Sequence, residues 1–295
     1  MRRLALWCSL AVLAIATLSA FIRLSETGPG CSPWPACFGQ PLAAPAADAT
    51  VGATAVARLA HRVVASATLL AVVLLVALCF SRRPWLAREG RIALTLLALA
   101  LGLAVLGRFS TGARWPAVGI GNLLGGLLMF ALCARLACRP NAGPALSAPW
   151  ARAALVLLLM QITLGALVST SYAGASCTGW ADCTAALEQA AAPWQALDPW
   201  REPVFDAGLQ PLHRNAAAVL WLHGATAVLT SVLLVVLALL AWRQGRVGAG
   251  ATLLALLALQ VSLGWLLAGS GLGLALAMAH NLVAALLLAL VMRLQ

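Results

Sequence analysis

The sequence contains no lysine, a single tyrosine and few charges of either sign. Charged residues make up 9% of the chain against 63% hydrophobic, with mean hydropathy +0.96. A water-soluble fold of 295 residues has no use for that much apolar surface, so the bilayer must be the solvent. The apolar runs also lack the paired midplane charges and interruptions that transport pathways commonly need, which places a transporter last among the readings. The formal net charge of +11 comes from arginine set against few acids. It marks topology, and a basic face for nucleic acid is not expected.

Eight apolar runs are long enough to span a bilayer, which takes about 20 residues each. They lie near Leu4–Ile22, Val56–Phe80, Ile92–Phe109, Pro116–Cys138, Ala151–Thr170, Ala216–Trp242, Ala249–Ser270 and Leu272–Met292. The first begins with Arg2-Arg3 but reads as part of a repeat unit and not as a cleavable signal. Arg2, Arg3, Arg82, Arg83, Arg88, Arg91, Arg135, Arg139, Arg152, Arg243, Arg246 and Arg293 fall at one end of the runs, joined there by only one acid, Glu89. The positive-inside rule puts that end and both termini in the cytoplasm. In a bacterial inner membrane the opposite loops are then periplasmic.

The chain reads as a duplication. Cys31-x5-Cys37 and Cys177-x5-Cys183 follow the first and fifth runs, 146 residues apart, each in a long loop rich in Pro, Gly and Trp. Long and short connections alternate in the same order in both halves. The expected fold is an all-α integral membrane protein of eight transmembrane helices, arranged as two four-helix bundles related by a pseudo-twofold axis along the membrane normal. The N-terminal bundle covers residues 1–140 and the C-terminal bundle 150–295, with a short surface helix around 184–192. The four loop cysteines sit in an oxidising space and are expected to form two disulfides, one within each pair. Cys8, Cys79, Cys133 and Cys138 lie singly in apolar runs and read as small packing residues.

Histidines are sparse and their depth is informative. His61 precedes Arg82 by 21 residues, and His223 precedes Arg243 by 20. At about 1.5 Å per residue both lie roughly 30 Å from the arginine-rich boundary. His280 stands 13 residues before Arg293, and Asn122 stands 13 before Arg135, so both lie roughly 20 Å from it. Asn122 thus occupies the place where a histidine would complete the symmetry. His213 falls too far out and reads as a surface residue. A neutral imidazole in an apolar helix needs a polar partner, and bis-histidine ligation of haem iron between facing helices of a bundle provides one. Zinc held by Cys-x5-Cys with a histidine competes poorly, because the spacing is loose for structural zinc.

Several segments then match a known family in order and spacing. RLSETGPGCSPWPACFG (23–39), His61-Arg62 with Ala65, and NLLGG from Asn122 fall in the first half. QITLGALVSTSYAGASC from Gln161, WLHGATA from Trp221, QVSLG from Gln260 and AHNLVAALLL from Ala279 fall in the second. The chain resembles the haem A synthases, membrane enzymes that convert haem O to haem A for cytochrome oxidases. The resemblance implies a resident haem b with His223 and His280 as axial ligands, and a haem O substrate in the N-terminal bundle facing His61. It implies oxidation of a haem methyl to a formyl group by successive hydroxylations, with Arg62 available to a propionate. Membrane lipid, a haem O synthase, the cytochrome oxidase assembly route, an electron donor and a second copy of the chain are the partners it suggests.

The sequence departs from the family pattern at three positions. Arg58 stands where a catalytic glutamate is usual, Asn122 where many members have a histidine, and Gly224 where an arginine usually follows the histidine. Glu26 is the carboxylate nearest to the vacant role. Two other readings stay open at this level: a haem-binding relative without catalysis that acts as a carrier or assembly factor, and a membrane thiol–disulfide oxidoreductase using the loop cysteines.

Overall fold

In hydrocarbon, a segment must satisfy its own backbone N–H and C=O groups, and a helix does this without help from neighbours. The leucine- and alanine-rich runs also have high intrinsic helix preference. The computed structural model describes residues 1–26, 49–81, 86–110, 115–138, 148–202, 216–269 and 272–295, and among these no strand occurs. The helices are α1 (Arg2–Glu26), α2 (Ala49–Ser81), α3 (Ala87–Ser110), α4 (Pro116–Ala137), α5 (Ala148–Thr170), α6 (Trp180–Glu188), α7 (Ala217–Arg243), α8 (Val247–Gly269) and α9 (Leu274–Leu294). All but α6 are long and apolar enough to cross a membrane, and they fall where the apolar runs place them. Pro116 opens α4, where its missing N–H costs nothing.

Packing follows the same order in each set of four spans. In the first, α1 packs against α2 and α4, and α3 against α2 and α4. In the second, α5 packs against α7 and α9, and α8 against α7 and α9. Each set therefore closes into a ring in which the second and fourth spans face one another across the centre. The sets meet through α4 and α9, flanked by α4 against α5 and α1 against α9. Leu127, Phe130, Leu288 and Val291 of α4 and α9 are buried in the main core.

Outward faces carry large apolar side chains. Trp265 is 80% exposed and Leu70 71%, exposures that would be an aggregation surface in water but suit lipid contact. The extramembrane helix α6 starts at Trp180 and ends at Glu188, earlier than the expected 184–192. It starts early because Cys183, inside it, is bonded to Cys177 and Trp180 stacks on Trp221 of α7, with ring centroids 5.2 Å apart. Tertiary anchoring, not local propensity, sets that boundary. The free cysteines Cys8, Cys79 and Cys133 are buried and Cys138 is half-buried, as packing residues would be.

Candidate functional site

The two histidines of the second half sit on α7 and α9, the pair of spans that face each other across the second ring. Both lie near the end where α5 runs out into the disulfide loop, called here the cysteine-loop end. Each imidazole is held by the span that precedes its own helix, and by the same five-residue pattern. Gln161-x-x-Leu-Gly165 on α5 serves His223, and Gln260-x-x-Leu-Gly264 on α8 serves His280.

At His223, Gln161 Nε2 lies 3.1 Å from ring Nδ1 and also donates to the His223 carbonyl at 3.1 Å. Thr226, one turn along α7, donates to Gln161 Oε1 at 2.5 Å and so orients the amide. Four residues on, Gly165 makes room for the ring: a Cβ there would stand 2.9 Å from His223 Cε1, closer than van der Waals contact permits. The arrangement leaves Nε2 as the uncommitted ring nitrogen. Iron ligation through Nε2 requires the proton on Nδ1 with an acceptor for it. A half-turn of the Gln161 amide supplies that acceptor as Oε1 and gives up the bond to the His223 carbonyl, while the Thr226 hydroxyl, which can donate or accept, keeps its bond to the amide.

At His280 the holding is looser. Gln260 Nε2 lies 3.0 Å from ring Nε2, and a Cβ on Gly264 would stand 3.3 Å from Cε1. His280 Nδ1 and Gln260 Oε1 are both buried without a hydrogen-bond partner among the described residues. A buried polar atom left unpaired costs about 1–3 kcal/mol. Two of them stand beside one imidazole. Both histidines are half-buried.

Residues 2–292 match the model of the cytochrome oxidase assembly protein family. The chain belongs to that family. It is 30% identical to a haem A synthase of Shewanella oneidensis over 94% of its own length and 90% of that protein. It is 31% identical to a haem A synthase of Rhizorhabdus wittichii over 52% of its length and 42% of that relative.

In this family member the first ring differs from the second. His61 on α2 and Asn122 on α4 are both half-buried and occupy the facing spans. No glutamine occurs in α1–α4, and no hydrogen bond of His61 is recorded among the described residues. Gly121 and Gly125 of α4 make room for Leu106 and Leu103 of α3 instead, with a Cβ falling 2.8 Å and 2.7 Å from a leucine Cδ2. Arg58 and Arg62 are exposed. Trp180 covers Gly224, its ring 3.4 Å from where a Cβ would be.

Cys177 and Cys183 form the expected disulfide, buried against Ala217 with Trp221 packed on it. Thiol–disulfide exchange needs access to a sulfur, so that burial argues against a redox-exchange role. Cys31, Cys37 and His213 lie outside the described residues, as does the side chain of Glu26. Gln161, Gln260, Gly165 and Gly264 are site residues to which the sequence alone gave no role. Their signal was the Gln-x-x-Leu-Gly pattern, present in the two spans that precede the helices of His223 and His280.

Proposed function

We propose that the chain is a haem A synthase: it oxidises the methyl group of haem O to a formyl group, through an alcohol, in cytochrome oxidase biogenesis. The observation that carries this is the pair of imidazoles on facing spans, each in its own glutamine–glycine cradle. The residues fit an iron porphyrin. Two imidazoles stand on facing spans of one ring of helices, and buried atoms unpaired among the described residues lie beside one of them.

His223 and His280 hold a resident haem b in a C-terminal bundle (150–295), related by a pseudo-twofold to an N-terminal bundle (1–140) that receives haem O. The matching ring order of the two span sets supports that division. His61 faces the substrate haem from α2, with Arg62 toward a propionate, Glu26 as the candidate carboxylate and Asn122 as a ligand position that no longer binds iron strongly. Haem supplies the redox and oxygen chemistry when bound. The chain supplies the rest: Gln161 and Gln260 orient the imidazoles, the glycines admit them, and the leucine-lined α3–α4 face keeps water from the first ring. The protein resides in a bacterial inner membrane with both termini cytoplasmic and the cysteine loops periplasmic. It works beside a haem O synthase, takes electrons from a donor and can pair with a second copy of itself.

The test is extraction of haem from membranes that contain the chain and a haem O source, with pyridine haemochrome analysis of the purified protein. Haem B bound to the protein and haem A formed in the membrane are expected. Folded protein with haem O left unchanged would sink the catalytic reading. Arg58 and Asn122 favour a second reading, a haem-binding relative without catalysis. Under that reading the wild type forms no haem A and Arg58→Glu gains activity.

A further inference from the structure

Arg23, at the exit of α1, lies near Tyr172 and keeps one buried donor unpaired among the described residues. Its Nη1 donates to the hydroxyl of Ser169 on α5, a neutral partner. Its Nη2 is sealed from solvent and has no hydrogen-bond partner among the described residues, and the same holds for the hydroxyl of Ser25 two residues on. Keeping a guanidinium dry without an anion is expensive, and such groups are normally paired.

The surroundings locate this vacancy. Ser169 is four residues beyond Gly165, on the same face of α5 and about 6 Å further toward the cysteine-loop end. Gly165 is the residue that meets the His223 ring. Leu24, next to Arg23, is buried with Ala20 against Ala277 of α9, three residues before His280 and on the same face. Arg23 is therefore tied to α5 one turn above the His223 cradle, and its own helix packs on α9 one turn above His280. It therefore lies on the cysteine-loop side of both imidazoles. α7 offers no cation there, since position 224 is a glycine under the Trp180 ring.

Resting on the haem reading above, we infer that Arg23 is the carboxylate anchor of the second-half site and binds a propionate of the haem held between His223 and His280. Haem carries its two carboxylates on one edge. With that edge toward the cysteine-loop end, a propionate meets Nη2 while Nη1 stays on Ser169. The first span thus supplies a contact to the cofactor of the second four, which ties the two sets of spans together through the ligand. A lipid phosphate offers the same anionic chemistry, and the choice of probe separates the two sources.

The test uses the full-length protein purified from haem-depleted cells and titrated with haem B or with its dimethyl ester, in which both propionates are neutral. Wild type should prefer the free acid by about tenfold to a hundredfold, the range of one buried charged hydrogen bond. Arg23→Met should bring the free acid close to the ester. Arg23→Lys should fall between them, since it keeps the charge but loses the fork. The haem midpoint potential should drop in Arg23→Met, because a cation near the porphyrin favours the reduced state. Equal binding of acid and ester by wild type, as expected if a lipid phosphate holds Arg23, overturns the inference. So does a preference that persists in Arg23→Met; should that variant not fold, an undiminished preference in Arg23→Lys has the same force. A wild type that binds neither form refutes the underlying haem reading itself.

Discussion

In the second four spans glycines make room for imidazole rings, and in the first four they make room for leucines. Gly165 and Gly264 face Cε1 of His223 and His280, whereas Gly121 and Gly125 face the δ-carbons of Leu106 and Leu103. The helical order is the same in both rings, so the difference lies in what the shared scaffold was given to hold. A planar ring bonded to an amide has one seat. A leucine can change rotamer and yield by a few tenths of an ångström. The second ring therefore holds its imidazoles more rigidly than the first holds its leucines.

The largest effect should come from removing an iron ligand. His223→Ala or His280→Ala is expected to abolish the low-spin bis-histidine haem spectrum of the purified protein, while His61→Ala leaves it intact. A spectrum lost equally in His61→Ala would erase the proposed division between the rings.

Next in size is the glycine contrast. Gly165→Ala puts a Cβ 2.9 Å from a ring that is also hydrogen-bonded to Gln161, so neither can move without loss. Overpacking of this kind costs about 1–3 kcal/mol, and haem content at a fixed low haem supply should fall about tenfold. Gly125→Ala meets the far end of Leu103 at 2.7 Å. It should leave haem content unchanged and lower Tm only slightly.

The two cradles can be compared with each other by haem dissociation into apomyoglobin. Gln161→Leu removes bonds to the His223 ring, to its carbonyl and to Thr226, whereas Gln260→Leu removes one. Loss of an outer partner of a ligating histidine costs about 10–100-fold in metal affinity. Gln161→Leu should therefore speed dissociation by about tenfold or more, and Gln260→Leu by only severalfold. Equal rates would mean that the amides do not orient the rings.

The smallest functional effect belongs to the disulfide. Replacing Cys177 and Cys183 together with serine opens a short loop and should cost roughly 2 kcal/mol of stability. Thermal unfolding should report it, with the haem spectrum unaltered.

The spans themselves were readable because a bilayer demands length and apolarity, and both are local properties. His61 and His223, and likewise His280 and Asn122, could be matched by counting because a helix rises by a fixed increment per residue. The partners of those side chains could not be read the same way. The spans are apolar nearly all round, so no hydrophobic stripe tells which face turns inward. The α6 boundary was missed for a related reason, since its position depends on the bond to Cys177 and on Trp221 rather than on its own residues.

The sequence by itself determined eight apolar spans, the bias of arginine to one end and the positions of His61, His223 and His280 along their helices, because hydropathy and helical rise act along the chain. Only the tertiary structure decided that Gln161 reaches His223 across 62 residues, that Gln260 reaches His280, and that Arg23 is left with a donor to spare beside Ser169. Those contacts depend on how each helix is rotated about its own axis against its neighbours. Close packing of small and large side chains sets that rotation, and no single segment encodes it.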